Sequence, residues 1–251
     1  MSSSDHAPEQ PYGAAVYFTA YVVPAFCMVA IGHSPLLVLI ALGLIFVVNP
    51  LTDRMVESSR GLIARFTEGR SPTALYSAAV YLAVPVQGAL LARALTHGTS
   101  SLSMAVTAGL LCGISGGIIG LVAGHELIHR PRKDERRLGS VLLFITNYPH
   151  FVLEHMLHHR WVAMPEDPDT ARRGESLYRF LPRSIVRGWL ACWAWEAQKA
   201  RRRGQSPLSL RNKMIRATLI QLAIVAAIAI VVGPLGVAAY MVQGLVAMVL
   251  L

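Results

Sequence analysis

The chain has 251 residues, of which 54% are hydrophobic and 15% charged, with a mean hydropathy of +0.48. That is too apolar for an ordinary soluble domain. The formal net charge is +9, but the basic residues lie between apolar spans, where membrane topology accounts for them and nucleic-acid binding does not.

A hydrocarbon-spanning helix needs roughly 20 apolar residues, and several such stretches follow one another. After a polar start with no cleavable signal, residues 11–32 carry no charge and read as the first span. Residues 34–52 read as the second, separated from the first by a tight turn at Gly32, His33 and Ser34. A charged loop covers 53–71, followed by a third span over 73–95 and a fourth over 102–124. Residues 139–151 are apolar but too short to span, and are expected to form a re-entrant or interfacial helix. Residues 177–203, with Trp189, Trp193, Trp195 and a basic end, read as an amphipathic surface helix. Residues 215–232 and 235–251 give the fifth and sixth spans, joined at Gly233 and Pro234. The expected fold is therefore an all-α integral membrane protein, one domain over 1–251 with six transmembrane helices.

Eighteen of the 23 Lys and Arg fall within 130–216, four lie in the 53–71 loop, and only Arg93 remains. Positive loops stay cytoplasmic, so the N-terminus and both histidine clusters, at 125–129 and 155–159, are expected inside and the turns at 32–34 and 233–234 outside. In the fourth span Gly113, Gly116, Gly117, Gly120 and Gly124 form small-xxx-small patterns that let helices approach closely in lipid. Cys27, Cys112 and Cys192 form no CxxC pair and read as small core residues.

Two histidine clusters sit at the water-side ends of these apolar segments. His125 and His129 are four positions apart and share a helix face. His155, His158 and His159 stand at i, i+3 and i+4. Five imidazoles at helical spacing suit a transition metal. His125-Glu126-Leu127-Ile128-His129 is also the zinc-peptidase pattern, with Glu126 as general base. A mononuclear zinc site needs about three protein ligands, and five histidines point instead to two metals and oxygen chemistry. His150 lies close to the second cluster but outside its pattern.

The segment HELIHR at 125–130, followed by HFVLEHMLHHRWVAMPEDPDTARRGESLYRFLPRS at 150–184, resembles the membrane alkane 1-monooxygenases, within the wider fatty-acid desaturase and hydroxylase group. NPLTD at 49–53 is similar to that family's second-span ending. The resemblance implies two non-haem iron ions on the cytoplasmic side of the bacterial inner membrane. It implies insertion of one oxygen atom from O₂ into the terminal C–H bond of an alkyl chain drawn from the bilayer, with electrons from rubredoxin. By position, His125, His129, His155, His158 and His159 would be iron ligands. Glu126, Glu154, Asp167 and Asp169 would orient the imidazoles and fix their tautomers.

The second box departs from the family's EHxxGHH, since only Met156 and Leu157 separate His155 from His158. The family's further EHYG-like motif and third histidine box do not occur here, so the chain is expected to be the N-terminal part of a longer enzyme and to bind iron poorly alone. A membrane desaturase, an aryl-methyl hydroxylase and a membrane zinc peptidase are the alternatives. The basic region 172–203 could dock an acidic electron carrier or anionic lipid.

Overall fold

A computed structural model describes residues 14–33 and 73–250, together with Leu36 and Gly43. Apart from those two positions, the expected second span, the charged loop after it and the NPLTD segment lie outside the described residues. Every regular element among the described residues is helical. Helix α1 (Ala15–Phe18) passes through a 3₁₀ turn (Thr19–Tyr21) into α2 (Val22–Ala30). Then follow α3 (Thr73–His97), α4 (Leu102–Ser115), a π-helical turn (Gly116–Leu121) and α5 (Val122–His129). The remainder is α6 (Lys133–Ile145), α7 (Phe151–Trp161), α8 (Leu177–Arg202), α9 (Lys213–Val231) and α10 (Pro234–Leu250).

Helix α3, the continuous helix Leu102–His129 and α9 are long and apolar enough to cross a membrane. Thr19–Ala30 and α10 are apolar but shorter. Of the six expected spans, these three meet the length criterion among the described residues. Local signals set their ends. Ser101 caps α4 by accepting from the Met104 amide, and Asn212 caps α9 by accepting from Met214 and Ile215, which satisfies amides that the first helical turn leaves unpaired. Gly233, at φ +91°, turns the chain from α9 into Pro234 at the start of α10, where a fixed proline φ suits the first helical position.

Leu102–His129 is the centre of the bundle: 78% of its apolar window is buried, against 11% for α9. Its glycines make two contact rows. Gly109, Gly113 and Gly117 face α10, where an added Cβ would lie 2.6 Å from the Ala239 carbonyl, 2.7 Å from that of Gln243 and 2.7 Å from the Leu250 Cβ. Gly120 and Gly124 face α6, 2.7 Å from the Thr146 methyl and 3.1 Å from Leu143. Close backbone approach of this kind gives helices in lipid their packing energy.

The apolar stretch expected at 139–151 is organised differently. Its helix, α6, starts at Lys133 in the charged KDERR segment, where Asp134 and Glu135 lie in the first turn and favour the positive end of the helix dipole. It stops at Ile145, and Asn147 turns the chain at φ +61°, a conformation asparagine tolerates better than most residues. The helix end is buried, with Thr146 fully enclosed against Gly120. Its last carbonyls are taken up by α10: Gln243 Nε2 donates to Ile145 O at 2.6 Å and Tyr240 OH to Phe144 O at 2.6 Å. Gln243 Oε1 accepts from Cys112 Sγ at 2.7 Å, Gln87 Nε2 donates to Cys112 O at 3.0 Å, and Ser115 Oγ donates to Gln87 Oε1 at 2.8 Å. Gln87 and Gln243 are completely buried.

Gln243→Leu removes the donor to Ile145 and strands a buried carbonyl, which costs about 1–3 kcal/mol. Thermal unfolding in detergent should show a lower Tm for Gln243→Leu and an unchanged one for Gln198→Leu, whose side chain is exposed on α8.

Candidate metal centre

The π-helical turn sets the phase of the first histidine pair. It inserts one residue into the helical ladder, and each α-helical residue turns the face by about 100°. The histidines downstream of it therefore face α7 only because Gly116–Leu121 departs from α geometry.

His125 and His129 on α5 meet His155 and His159 on α7. The ring centroids of His125 and His155 are 4.0 Å apart, those of His155 and His159 4.3 Å, and those of His129 and His155 4.9 Å. The Nε2 atoms of His129 and His159 each come within 2.8 Å of His155 Nε2. One ring nitrogen from each of the four lies within 4.8 Å of all the others. Phe151 stacks on His155 and touches His125 edge-on, giving the cluster an apolar side, while His129 and His159 are exposed. Burial and the neighbouring imidazoles push His155 down to about 3, so its ring stays neutral, the form that binds a metal. Four imidazoles converging on one point are a donor set that fits a transition-metal ion.

His158 stands apart from these four. Its Nδ1 is 2.9 Å from Asp167 Oδ2. A carboxylate only accepts, so Nδ1 carries the proton, and Nε2 is the nitrogen that could bind a metal. Asp169 completes a second group of possible ligands with His158 and Asp167. The loop that brings these aspartates back onto α7 is built in detail. Ala163 takes a left-handed φ of +64°, and its amide donates to Thr170 Oγ1 at 3.0 Å. Asp167 Oδ1 accepts from the Asp169 amide at 3.1 Å, and Asp169 accepts from Ser184 Oγ. Arg183 on α8 grips Glu175 through two bonds of 2.6 Å and donates to Pro168 O at 2.9 Å and Thr170 O at 3.1 Å. That guanidinium holds the Glu175 carboxyl down at about 2.

The other two carboxylates expected beside the histidines have different partners. Glu126 pairs with Arg130 at 3.0 Å and lines a separate groove with Tyr17 and Tyr76. Glu154 is 3% exposed and accepts from Tyr148 OH at 2.6 Å. Its nearest imidazole contact, His150 Nε2, is at 3.8 Å. A Cβ at Gly188 of α8 would sit 1.7 Å from Glu154 Oε1, so only glycine admits the carboxyl there. Tyr148, Arg183 and Gly188 escaped the sequence reading. Arg183 and Glu175 both fall inside the segment that carried the resemblance, but nothing local signals Tyr148 or Gly188.

A cavity of about 330 Å³ opens beside the cluster. His125, Tyr148, His155 and His158 form one part of its wall, and Phe180, Leu181, Ile185 and Met248 supply an apolar part.

Helices of this apolar length with a pocket of converging imidazoles define a membrane-type helical protein with a site that could hold a metal ion. The chain belongs to the fatty acid desaturase family, whose profile matches residues 100–251. It is 35% identical over 167 residues to the alkane 1-monooxygenase of Ectopseudomonas oleovorans, covering 63% of this chain and 40% of that protein. It is 36% identical over 178 residues to the alkane 1-monooxygenase of Pseudomonas putida, covering 69% and 44%. The hydroxylase component of xylene/toluene monooxygenase from Pseudomonas putida is 31% identical over 119 residues, covering 47% and 32%. The chain thus spans about two fifths of the length of the alkane monooxygenases it matches.

Two outcomes test this geometry. Inserting one alanine between Val122 and Ala123, below the π turn, should rotate His125 and His129 by about 100° away from α7 and abolish metal uptake, read by elemental analysis of purified protein. Burial pushes the Glu154 carboxyl up to about 8 from its ordinary 4.5. The unfolded chain therefore ionises this group at lower pH than the folded chain does, and Glu154 lowers stability progressively as pH rises from about 4.5 to about 8. Glu154→Gln lacks that loss. Its Tm relative to the parent should climb with pH across this window and level off above it; parallel curves would show that Glu154 ionises normally.

Proposed function

We propose that the chain is the histidine-bearing part of a membrane non-haem di-iron monooxygenase that hydroxylates the terminal carbon of an alkane or similar alkyl chain. The observation that carries this reading is the meeting of His125, His129, His155 and His159 at one point beside an apolar-walled cavity. Membership of the desaturase family and the likeness to alkane 1-monooxygenases support it. Two iron ions held there would supply the activation of O₂ and the insertion of one oxygen atom into a C–H bond. His125, His129, His155 and His159 would hold one part of that centre, and His158, through Nε2, another. Asp167 would keep His158 in the binding tautomer, and Asp169 would face the same cavity. In this reading the described residues and the rest of the chain form one domain.

The cavity gives the alkyl chain its place. Phe180, Leu181, Ile185 and Met248 present apolar surface to it, and each buried CH₂ contributes about 0.8 kcal/mol. The same side chains keep bulk water from the reacting carbon. The substrate comes from the bilayer, where such chains already partition. The proposed setting is the bacterial inner membrane, with both histidine clusters facing the cytoplasm, in keeping with the positive charge around them. A rubredoxin-type carrier would deliver electrons on that side, with Lys199, Arg201 and Arg202 at the end of α8 offering positive charge to an acidic partner.

The likeness to the xylene/toluene hydroxylase component favours one second reading, hydroxylation of an aryl methyl group. A zinc peptidase would need Glu126 beside the metal as general base, yet Glu126 pairs with Arg130 and does not line the histidine cavity.

Cells expressing the complete reading frame should convert a medium-chain n-alkane to the primary alcohol, and the purified protein should contain iron. His129→Ala and His155→Ala should each lower iron content and remove activity. An alkene product, or zinc in place of iron, would overturn the proposal.

A further inference from the structure

A second groove lies on the face of α5 turned away from the metal cavity. It has a volume of about 320 Å³ and shares no lining residue with the histidine cavity. Its water-side end carries Arg130 and Glu126, beside the edge-to-face ring pair of Tyr17 and Tyr76. From there an apolar wall of Val80, Ile118 and Val122 runs toward the middle of the bundle. The groove is open along its flank, where Val122 is 54% exposed and Tyr17 40%.

Arg130 is the feature that the bundle does not explain. Its Nη2 pairs with Glu126 at 3.0 Å, but its Nε–H is buried without a hydrogen-bond partner. A guanidinium has five donors in a fixed fork, matched to planar or tetrahedral oxyanions. The Arg130 side chain as a whole is 30% exposed and lines the groove, so its outer N–H groups can reach an acceptor there. The acceptor is anionic, since it meets a cation at a basic surface: Arg132, Lys133 and Arg136 follow directly. It also carries an alkyl chain, since the groove below Arg130 is apolar and opens sideways. Basic pockets between transmembrane helices at the cytoplasmic level bind lipid head groups.

We propose that this groove binds one phospholipid of the surrounding bilayer that has an anionic head group. Arg130 holds the phosphate, and one acyl chain lies along Val80, Ile118 and Val122. The second chain stays in the bilayer beyond the open flank. The site is separate from the metal centre, and its test does not depend on catalysis.

The intact protein is reconstituted in vesicles of equal phosphatidylglycerol and phosphatidylcholine and extracted in mild detergent, and the lipid it retains is counted by native mass spectrometry. The parent and Arg137→Gln, at an exposed arginine of α6, should each retain one phosphatidylglycerol. Arg130→Gln should retain about tenfold less, as loss of a charge-assisted contact implies. Val122→Phe, which fills the groove from its exposed side and leaves Arg130 in place, should do the same and decides the matter where Arg130→Gln fails to fold. Equal retention of both lipids would overturn the site. So would a loss in Arg137→Gln matching that in Arg130→Gln. Oleate retained as well as phosphatidylglycerol would overturn the phospholipid assignment in favour of a free fatty acid.

Discussion

The arrangement of this protein depends on how the end of α6 is satisfied inside the bundle. A helix that stops among other helices leaves carbonyl groups without partners, and in an apolar interior each such group costs several kcal/mol. Here α10 supplies the missing donors through Gln243 and Tyr240. Because those donors sit on the last helix and their acceptors on α6, two segments about a hundred residues apart are locked in register. The chain leaving α6 at Asn147 enters α7 four residues later, at Phe151, and α7 carries the second histidine cluster. The polar network is thus structural in location and functional in consequence. It fixes where the second cluster can be.

The first cluster is placed by a different device. Gly109, Gly113 and Gly117 seat the central helix on α10, while Gly120 and Gly124 seat it against α6. The π turn lies where one glycine row gives way to the other. Small side chains make the close contacts and the turn adjusts the rotation, so His125 and His129 point at α7 instead of along the α10 contact. Both clusters are therefore referenced to α10: one through the glycine face, the other through Gln243 and Tyr240.

Much of this was legible in the sequence, for identifiable reasons. The long spans α3, Leu102–His129 and α9 are continuous apolar runs, which nothing else explains. Helix α6 was harder, because its first turns are charged and only its second half is apolar, so the visible run began at Gly139 and not at Lys133. The spacing of His155, His158 and His159 contained more than the grouping of all five histidines drew from it. Successive helical residues lie about 100° apart, so His158 and His159 cannot both point at α5, and it is His158 that turns to Asp167. The partner of Glu126 was there to be read in the sequence, whereas that of Glu154 was not. Arg130 is four residues from Glu126 and forms an ordinary helical pair. The pocket for Glu154 is made by Tyr148 and by the backbone of α8, contacts that exist only once α7 and α8 have packed.

The contact between Glu154 and Gly188 limits how such a protein can change over generations. A carboxyl that reaches to within a Cβ's distance of another helix leaves no room for even a methyl group at position 188. Substitution there alone collides with Glu154. Shortening Glu154 alone leaves a gap against α8 and takes the acceptor from Tyr148. The two positions can drift only together, with a larger residue at 188 following a shorter one at 154. Position 154 is next to His155, so the one glycine on α8 bears on how closely α8 can pack beside the second histidine cluster.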